Sequence, residues 1–256
     1  RTAGCSVPAA EPQDSEEVSV MKARIKFRKY GALRFIGHLD VMRFFQKVMR
    51  RADIPIAFTG GFSPHMIMSF ASPLGIGLSS EGEYFDIELT RPIDSEEAVR
   101  RMNEACVEGI EVISFRQIRE EKKMTGMTIL AGADYLVNVS IGAMPEDWEE
   151  RFRGFMAQPE IKVIKQTKRS EKEVDIRSQI FCWELRKEGI YLQLAAGSSQ
   201  NLKPDLVMET FCRFLGIPEE EVRFSYCRLE MYAYSGEGKN LVTLESLGWD
   251  MEGEGE

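Results

Sequence analysis

The 256 residues carry 33 Lys and Arg against 41 Asp and Glu, for a net charge of −8, and 43% of them are hydrophobic. Five cysteines stand scattered at Cys5, Cys106, Cys182, Cys212 and Cys227; an odd set without a C-x-x-C pair argues against a disulfide framework, a zinc site or an iron–sulfur cluster. No run approaches the roughly 18 apolar residues of a membrane span and no apolar signal core opens the chain, so a cytoplasmic protein without a membrane partner is expected.

In chain order, residues 1–20 are rich in Pro, Ser, Ala and acid and poor in large apolar residues, which predicts a disordered leader or linker. Met21 is the first plausible start. Residues 22–28 alternate, with Ala23, Ile25 and Phe27 on one face, and read as a strand. Residues 39–52 place Leu39, Met42, Phe45, Val48 and Met49 at helical spacing with basic residues between them. Residues 54–58 read as a short strand, 83–89 as another, 95–106 as a helix with an Asp-Ser start signal, and 110–115 as a strand. The second half repeats this order. A strand over 135–141 precedes a helix over 145–157 and a strand over 160–166. A hairpin over 175–185 and 190–195 leads to a helix over 204–215 and a strand over 222–232.

The repeated β-α-β-β-α-β order is that of the split β-α-β plan. The expected class is α+β, with two tandem ferredoxin-like units and antiparallel sheets. The units are expected at 21–118 and 134–233, joined by a connector at 119–133 and followed by a loose acidic tail at 234–256.

The charge is unevenly placed. Residues 21–80 hold ten basic and two acidic residues, and 162–187 hold eight basic and four acidic. A basic face on an acidic molecule would suit RNA; a scattered, solvated set of cations is the bland alternative. Residues 54–80 contain no Lys, Arg, Asp or Glu, and both histidines, His38 and His65, lie within 33–84.

Four groups of residues carry the candidate chemistry. His38, Asp40 and Arg43 sit near a helix start, where they either bind phosphate or act as acid–base groups, or else form a cap and a local ion pair; Arg51 ends the same basic helix. Gly60-Gly61-Phe62-Ser63-Pro64-His65 offers Phe62 and His65 for base stacking and Ser63 as a polar contact, or is a long β-hairpin tip or crossover loop whose Phe62 packs on the core. Ser79 and Ser80 end a Gly- and Ser-rich run that lacks the P-loop and G-x-S-x-G patterns. In the second half, Lys165 and Lys168 lie in a basic loop, with Asp175 and Arg177 after it. Ser198, Asn201 and Lys203 precede a helix, where small polar residues either bind an anion or cap. The spacing of histidines and carboxylates predicts no metal site, and no nucleophile–base pair is distinguishable.

The runs GHLDVMRFFQKVMRRADIP and GGFSPHMIMSFASPLGIGLSSEGEY, with KQTKRSEKEVDIR and GSSQNLKPDLV, resemble an uncharacterised bacterial family, the radical SAM-linked (radical SAM-associated) domain. The resemblance covers roughly Met21 to Tyr232. It implies a radical SAM protein as partner, fused or separate, and that partner would carry the iron–sulfur cluster and S-adenosylmethionine; no cofactor is expected in this chain. It also implies a ribosome-related setting. The readings kept open are an accessory domain binding RNA (tRNA or rRNA) or a ribosomal substrate, an RNA-acting enzyme using His38 or His65, and a protein-docking module. His38, Arg43, His65 and Ser79/Ser80 are expected to face one cleft, opposite the second basic loop.

Overall fold

A computed structural model of the chain describes residues 21–166, 171–218, 220–236 and 240–253. β1 (Met21–Lys29) alternates apolar residues with Lys and Arg, so one face is greasy and the other charged. α1 (His38–Arg51) buries Val41, Phe45, Val48 and Met49 and exposes Arg43, Lys47, Arg50 and Arg51. Its N-cap is Gly37, so His38 is the first helical residue and not the cap. Asp53 follows at φ 50°, a left-handed conformation that an aspartate tolerates.

The strand expected over 54–58 does not form. Ile56 and Phe58 make single bridges to Leu89 and Met66, and Pro55 has no N–H to offer a ladder. The pairing falls instead to β2 (Met68–Phe70), against β3 (Ser79–Leu89). α2 (Ser95–Ala105) begins at Asp94, whose carboxylate accepts the Glu97 N–H at 2.9 Å. β4 (Ile110–Ile118) closes the first half.

The second half contains α3 (Gly126–Ile129), β5 (Leu130–Ile141), α4 (Trp148–Met156), β6 (Lys162–Gln166), β7 (Glu171–Asp175), β8 (Ile180–Arg186) and β9 (Gly189–Ala195). Next comes α5 (Pro204–Leu215), with proline at its first turn and Gly216 in the left-handed region at its end. β10 (Arg223–Ser235) and β11 (Asn240–Thr243) complete the strands. The hairpin therefore starts at Ile180, and 175 belongs to β7. β6 pairs only with β7, as a separate two-stranded sheet.

The protein is mixed α+β, and its main sheet is mostly antiparallel. Nine strands share that sheet in the order β4-β1-β3-β10-β5-β9-β8, with β2 on β3 and β11 on β10. Two separate antiparallel sheets were expected. Instead the halves are stitched together through β3 and β10, which run parallel and match Ser79 with Cys227 and Ser80 with Arg228. Gly82 makes this approach feasible, because a Cβ there would fall 2.6 Å from the Leu229 carbonyl oxygen. Two apolar cores remain distinct. One joins β1, β3 and β4 to α1 and α2, and the other joins β5, β9 and β10 to α4 and α5.

Residues 240–253, expected as part of a loose tail, are instead packed in place, as is the connector. Arg24 and Asp86, both buried on the charged face of β1 and β3, form a two-pronged ion pair at 2.8 and 3.0 Å. Arg24 also donates to the Leu244 carbonyl at 3.1 Å and the Met124 carbonyl at 2.9 Å, and Asp86 accepts the Gly126 N–H at 2.7 Å. One ion pair thus ties down both segments. Leu244 and Met251 are buried, and Trp249 exchanges backbone bonds with Gln117. Removing one partner of a buried pair strands the other, at a cost of about 3–5 kcal/mol. Asp86→Ala is expected to lower the urea-unfolding free energy by about that amount and to expose 240–253 to limited proteolysis; an unchanged midpoint would show that the pair does not anchor these segments.

Candidate functional site

The basic residues of the first strand are mostly consumed inside the fold. Lys22 pairs with Glu88 at 3.7 Å, and Lys26 with Glu230 and Glu245 at 2.7 and 3.0 Å. Arg28 pairs with Glu111 and, at 3.7 Å, with Glu81. With Arg24 on Asp86, four of the ten cations in 21–80 are matched to acids distant in sequence. Arg34, Lys47, Arg50 and Arg51 stay exposed, as does Arg43, which lies 3.6 Å from Asp40. The basic surface is therefore the outer side of α1, not the sheet.

Lys29 is different. It continues the Ala23, Ile25, Phe27 phase of β1 and so points to the helix-bearing face. Register puts it opposite Ser80, Ser80 opposite Arg228, and Arg228 opposite Tyr135. Directly opposed residues share a face, so these four form one row across the join between the halves. All four are buried. Arg228 Nη1 donates to both Glu83 carboxylate oxygens at 3.1 Å, and the guanidinium also reaches the Ser72 and Pro73 carbonyls at 3.4 Å. Among the described residues, Lys29 Nζ reaches only the carbonyls of Arg34 and Ile36, at 3.5 and 3.4 Å. Two buried cations thus lean on one buried carboxylate.

Burial shapes the proton affinities. It lowers the Lys29 ammonium against the pull of Glu83, with Arg228 pushing the same way as burial. It raises the Glu83 carboxyl against Arg228 and Ser80. His38 is lowered by burial and then by Lys29. Lys29, His38 and Glu83 line a cavity of about 10 Å³ closed by Phe27, Val41, Phe70, Ser72 and Leu74, which is space for about one water.

Beside this cavity, sharing Ser72 and Leu74 with it, opens a cleft of about 450 Å³. Residues 72–78 of the first half form one wall. The other comes from the second half: Tyr135, Asn201, Lys203, Pro204, Asp205, Tyr226 and Arg228. The cleft therefore joins two cations and two phenol rings to the start of α5, and Asp205 is its one carboxylate. Among the described residues, no group of three or more His, Cys, Asp or Glu side chains is placed to hold a metal ion, and no described helix is long and apolar enough to cross a membrane.

The model of a family described as an uncharacterised protein conserved in bacteria, DUF2344, matches residues 22–204. The chain belongs to this family. Among curated proteins, none matches the sequence. The DUF2344 match includes Lys29, His38 and Glu83 of the small cavity and Tyr135, Asn201 and Lys203 of the cleft, and stops short of β10, which supplies Tyr226 and Arg228 to that cleft.

The candidate residues are dispersed by the fold. His38 lines the small cavity, Asn201 and Lys203 line the cleft, and Ser80 is buried in the row beneath it. Ser79 lines a second cleft with Arg34, Phe35, Leu136 and Asn138. The single cleft expected for His38, Arg43, His65 and Ser79/Ser80 is not what forms. Arg43 is exposed on α1, and His65 sits on an exposed loop with its Nδ1 3.0 Å from the Thr59 hydroxyl. Phe62 and Ser63 are exposed on that loop, and Arg51 lies beside Arg100 and Arg101. Asp175 accepts the N–H groups of Ile161 and Arg177, while Arg177 donates to the Met156 carbonyl, so both brace the β7 corner. Ser198 is exposed. Lys165 is in β6, and Lys168 lies outside the described residues.

Lys29, Glu83, Tyr135, Tyr226 and Arg228 were not singled out from sequence. The available signal was phase: Lys29 and Glu83 occupy positions where the alternation of their strands calls for an apolar side chain. A charge in phase with a core face marks either a partner or a site.

The position of His38 gives a pH signature. Its native value is lowered from 6.5, so as pH falls the unfolded chain takes up the proton first and stability drops between 6.5 and the lower native value. The urea midpoint of the wild type is expected to fall more steeply than that of His38→Asn between about pH 7 and 5; parallel curves would remove this assignment.

Proposed function

We propose that the chain is a radical SAM-associated accessory domain that binds RNA, or a ribosome-related substrate, for a radical SAM partner. The observation that carries the binding reading is the cleft between the halves. It combines the buried Arg228, Lys203 at the α5 start, Tyr135 and Tyr226, and it draws a wall from each half. Cations with aromatic rings are the combination that holds the phosphates and bases of single-stranded nucleic acid. The exposed Arg43, Lys47, Arg50 and Arg51 of α1 add a basic surface that would hold a longer strand. The partner rests on the motif resemblance of 37–55 and 60–84.

We also infer that each half is a ferredoxin-like unit. The strand order β4-β1-β3-β2 in the first half supports this, and β10-β5-β9-β8 repeats it in the second, with β6 and β7 inserted after α4. A docking role has its own support: β8 ends the main sheet on one side and carries the exposed Phe181 and Cys182, an edge suited to strand addition by a partner.

Fluorescence anisotropy with tRNA and rRNA fragments tests the binding reading. Binding is expected at 50 mM salt or about that, weakening as salt rises with a log–log slope of about −0.7 per phosphate neutralised. No binding at low salt would remove RNA from the proposal, and co-purification of the radical SAM partner without nucleic acid would favour docking.

A further inference from the structure

The buried row beneath the cleft carries an electrostatic imbalance. Lys29 and Arg228 are 2% and 5% exposed, and the one carboxylate between them, Glu83, is 4% exposed. Arg228 Nη1 is saturated by Glu83 and the Ser72 carbonyl, but its Nε is buried with no partner. Leaving a guanidinium N–H without an acceptor in a dry environment is costly, and an excess buried cation favours an anion nearby. Arg228 is also a lining residue of the open cleft.

The wall above it has the same preference. Lys203 is the N-cap of the twelve-residue α5, its side chain makes no capping bond, and Pro204 follows. The partial positive charge of that helix end faces the cleft. Asp205 opposes it there, and its carboxylate accepts the Leu206 N–H at 2.8 Å. The rest of the lining is of another kind. Tyr226 comes from the second half and Pro73, Leu74 and Leu78 from the first, an aromatic ring and apolar side chains of the kind that pack against a planar ring.

From this juxtaposition we infer that the cleft is a nucleotide phosphate site, with the phosphate between Arg228 and Lys203 and the base between Tyr226 and the Pro73–Leu74 wall. It rests on the RNA reading only for the source of the nucleotide. The chemistry is shared by a free nucleoside monophosphate and by the 5′-phosphorylated end of an RNA strand. Asn201, at the rim, is an amide able to meet a base edge with both a donor and an acceptor.

The test is calorimetric titration of the full chain with the four nucleoside 5′-monophosphates and with one six-nucleotide RNA bearing either a 5′-phosphate or a 5′-hydroxyl. Either the free nucleotides or the phosphorylated RNA are expected to bind, the phosphorylated RNA about tenfold or more tighter than its hydroxyl twin. Lys203→Ala, an exposed position, is expected to weaken binding about fivefold or more at unchanged circular dichroism. Tyr226→Leu is expected to weaken nucleotides while leaving inorganic phosphate unaffected. The inference is overturned if no nucleotide binds at millimolar concentration and the 5′-phosphate makes no difference, or if Lys203→Ala leaves a folded protein with unchanged affinity. Should tRNA still bind in that case, the broader RNA reading survives without this site. Should mononucleotides bind while tRNA and rRNA do not, the site stands and the RNA reading falls.

Discussion

The whole arrangement depends on how little backbone joins the two halves. β3 and β10 pair through only two matched positions, Ser79 with Cys227 and Ser80 with Arg228. Two parallel ladder steps are too few to hold the halves in place, so side chains complete the join. Arg228 crosses it to Glu83, Lys26 crosses it to Glu230, and the Tyr84 hydroxyl donates to Glu230 at 2.6 Å. Each is a bond between residues about 150–200 positions apart in the chain. Gly82 makes the contact sterically feasible. The cleft opens beside this short join, where residues 72–78, which lead into β3, face Tyr135 of β5 and Tyr226 and Arg228 of β10.

The same join decides where charge ends up. A chain of net −8 with a basic first segment invites an electrostatic reading, and the fold redirects it. Most cations of β1 neutralise carboxylates of β3, β4, β10 and the C-terminal stretch, holding that stretch and the connector against the sheet. Such pairs gain less than their number suggests, since each ion was hydrated before folding, but once buried they cannot be broken singly without penalty. What is left for a ligand is the outer side of α1 and the cleft, where Arg228 and Lys203 face a single carboxylate, Asp205.

Alternation in residues 22–28 and 83–89, the helical stripe of 39–52 and the Asp-Ser signal at 94–95 all became the elements they suggest, because each reports a face that local geometry puts against a core. The site was less legible for a matching reason. Residues 60–65 look distinctive because of their glycines and rings, yet that peculiarity serves an exposed loop where His65 bonds Thr59. Arg228 looks ordinary in its own stretch and acquires its role only when β10 is laid beside β3.

By itself the sequence determined most of the helices and strands and the apolar faces that give two cores, since periodicity of two or 3.6 residues expresses which side of an element leaves water. It also held the clue that Lys29 and Glu83 break phase. The tertiary structure alone decided that the halves share one sheet, that the C-terminal stretch packs, and that α5's start, Tyr226 and Arg228 meet residues 72–78 across a cleft. These depend on bonds between residues far apart in the chain, and no local pattern encodes which distant partner a strand edge or a buried charge will find.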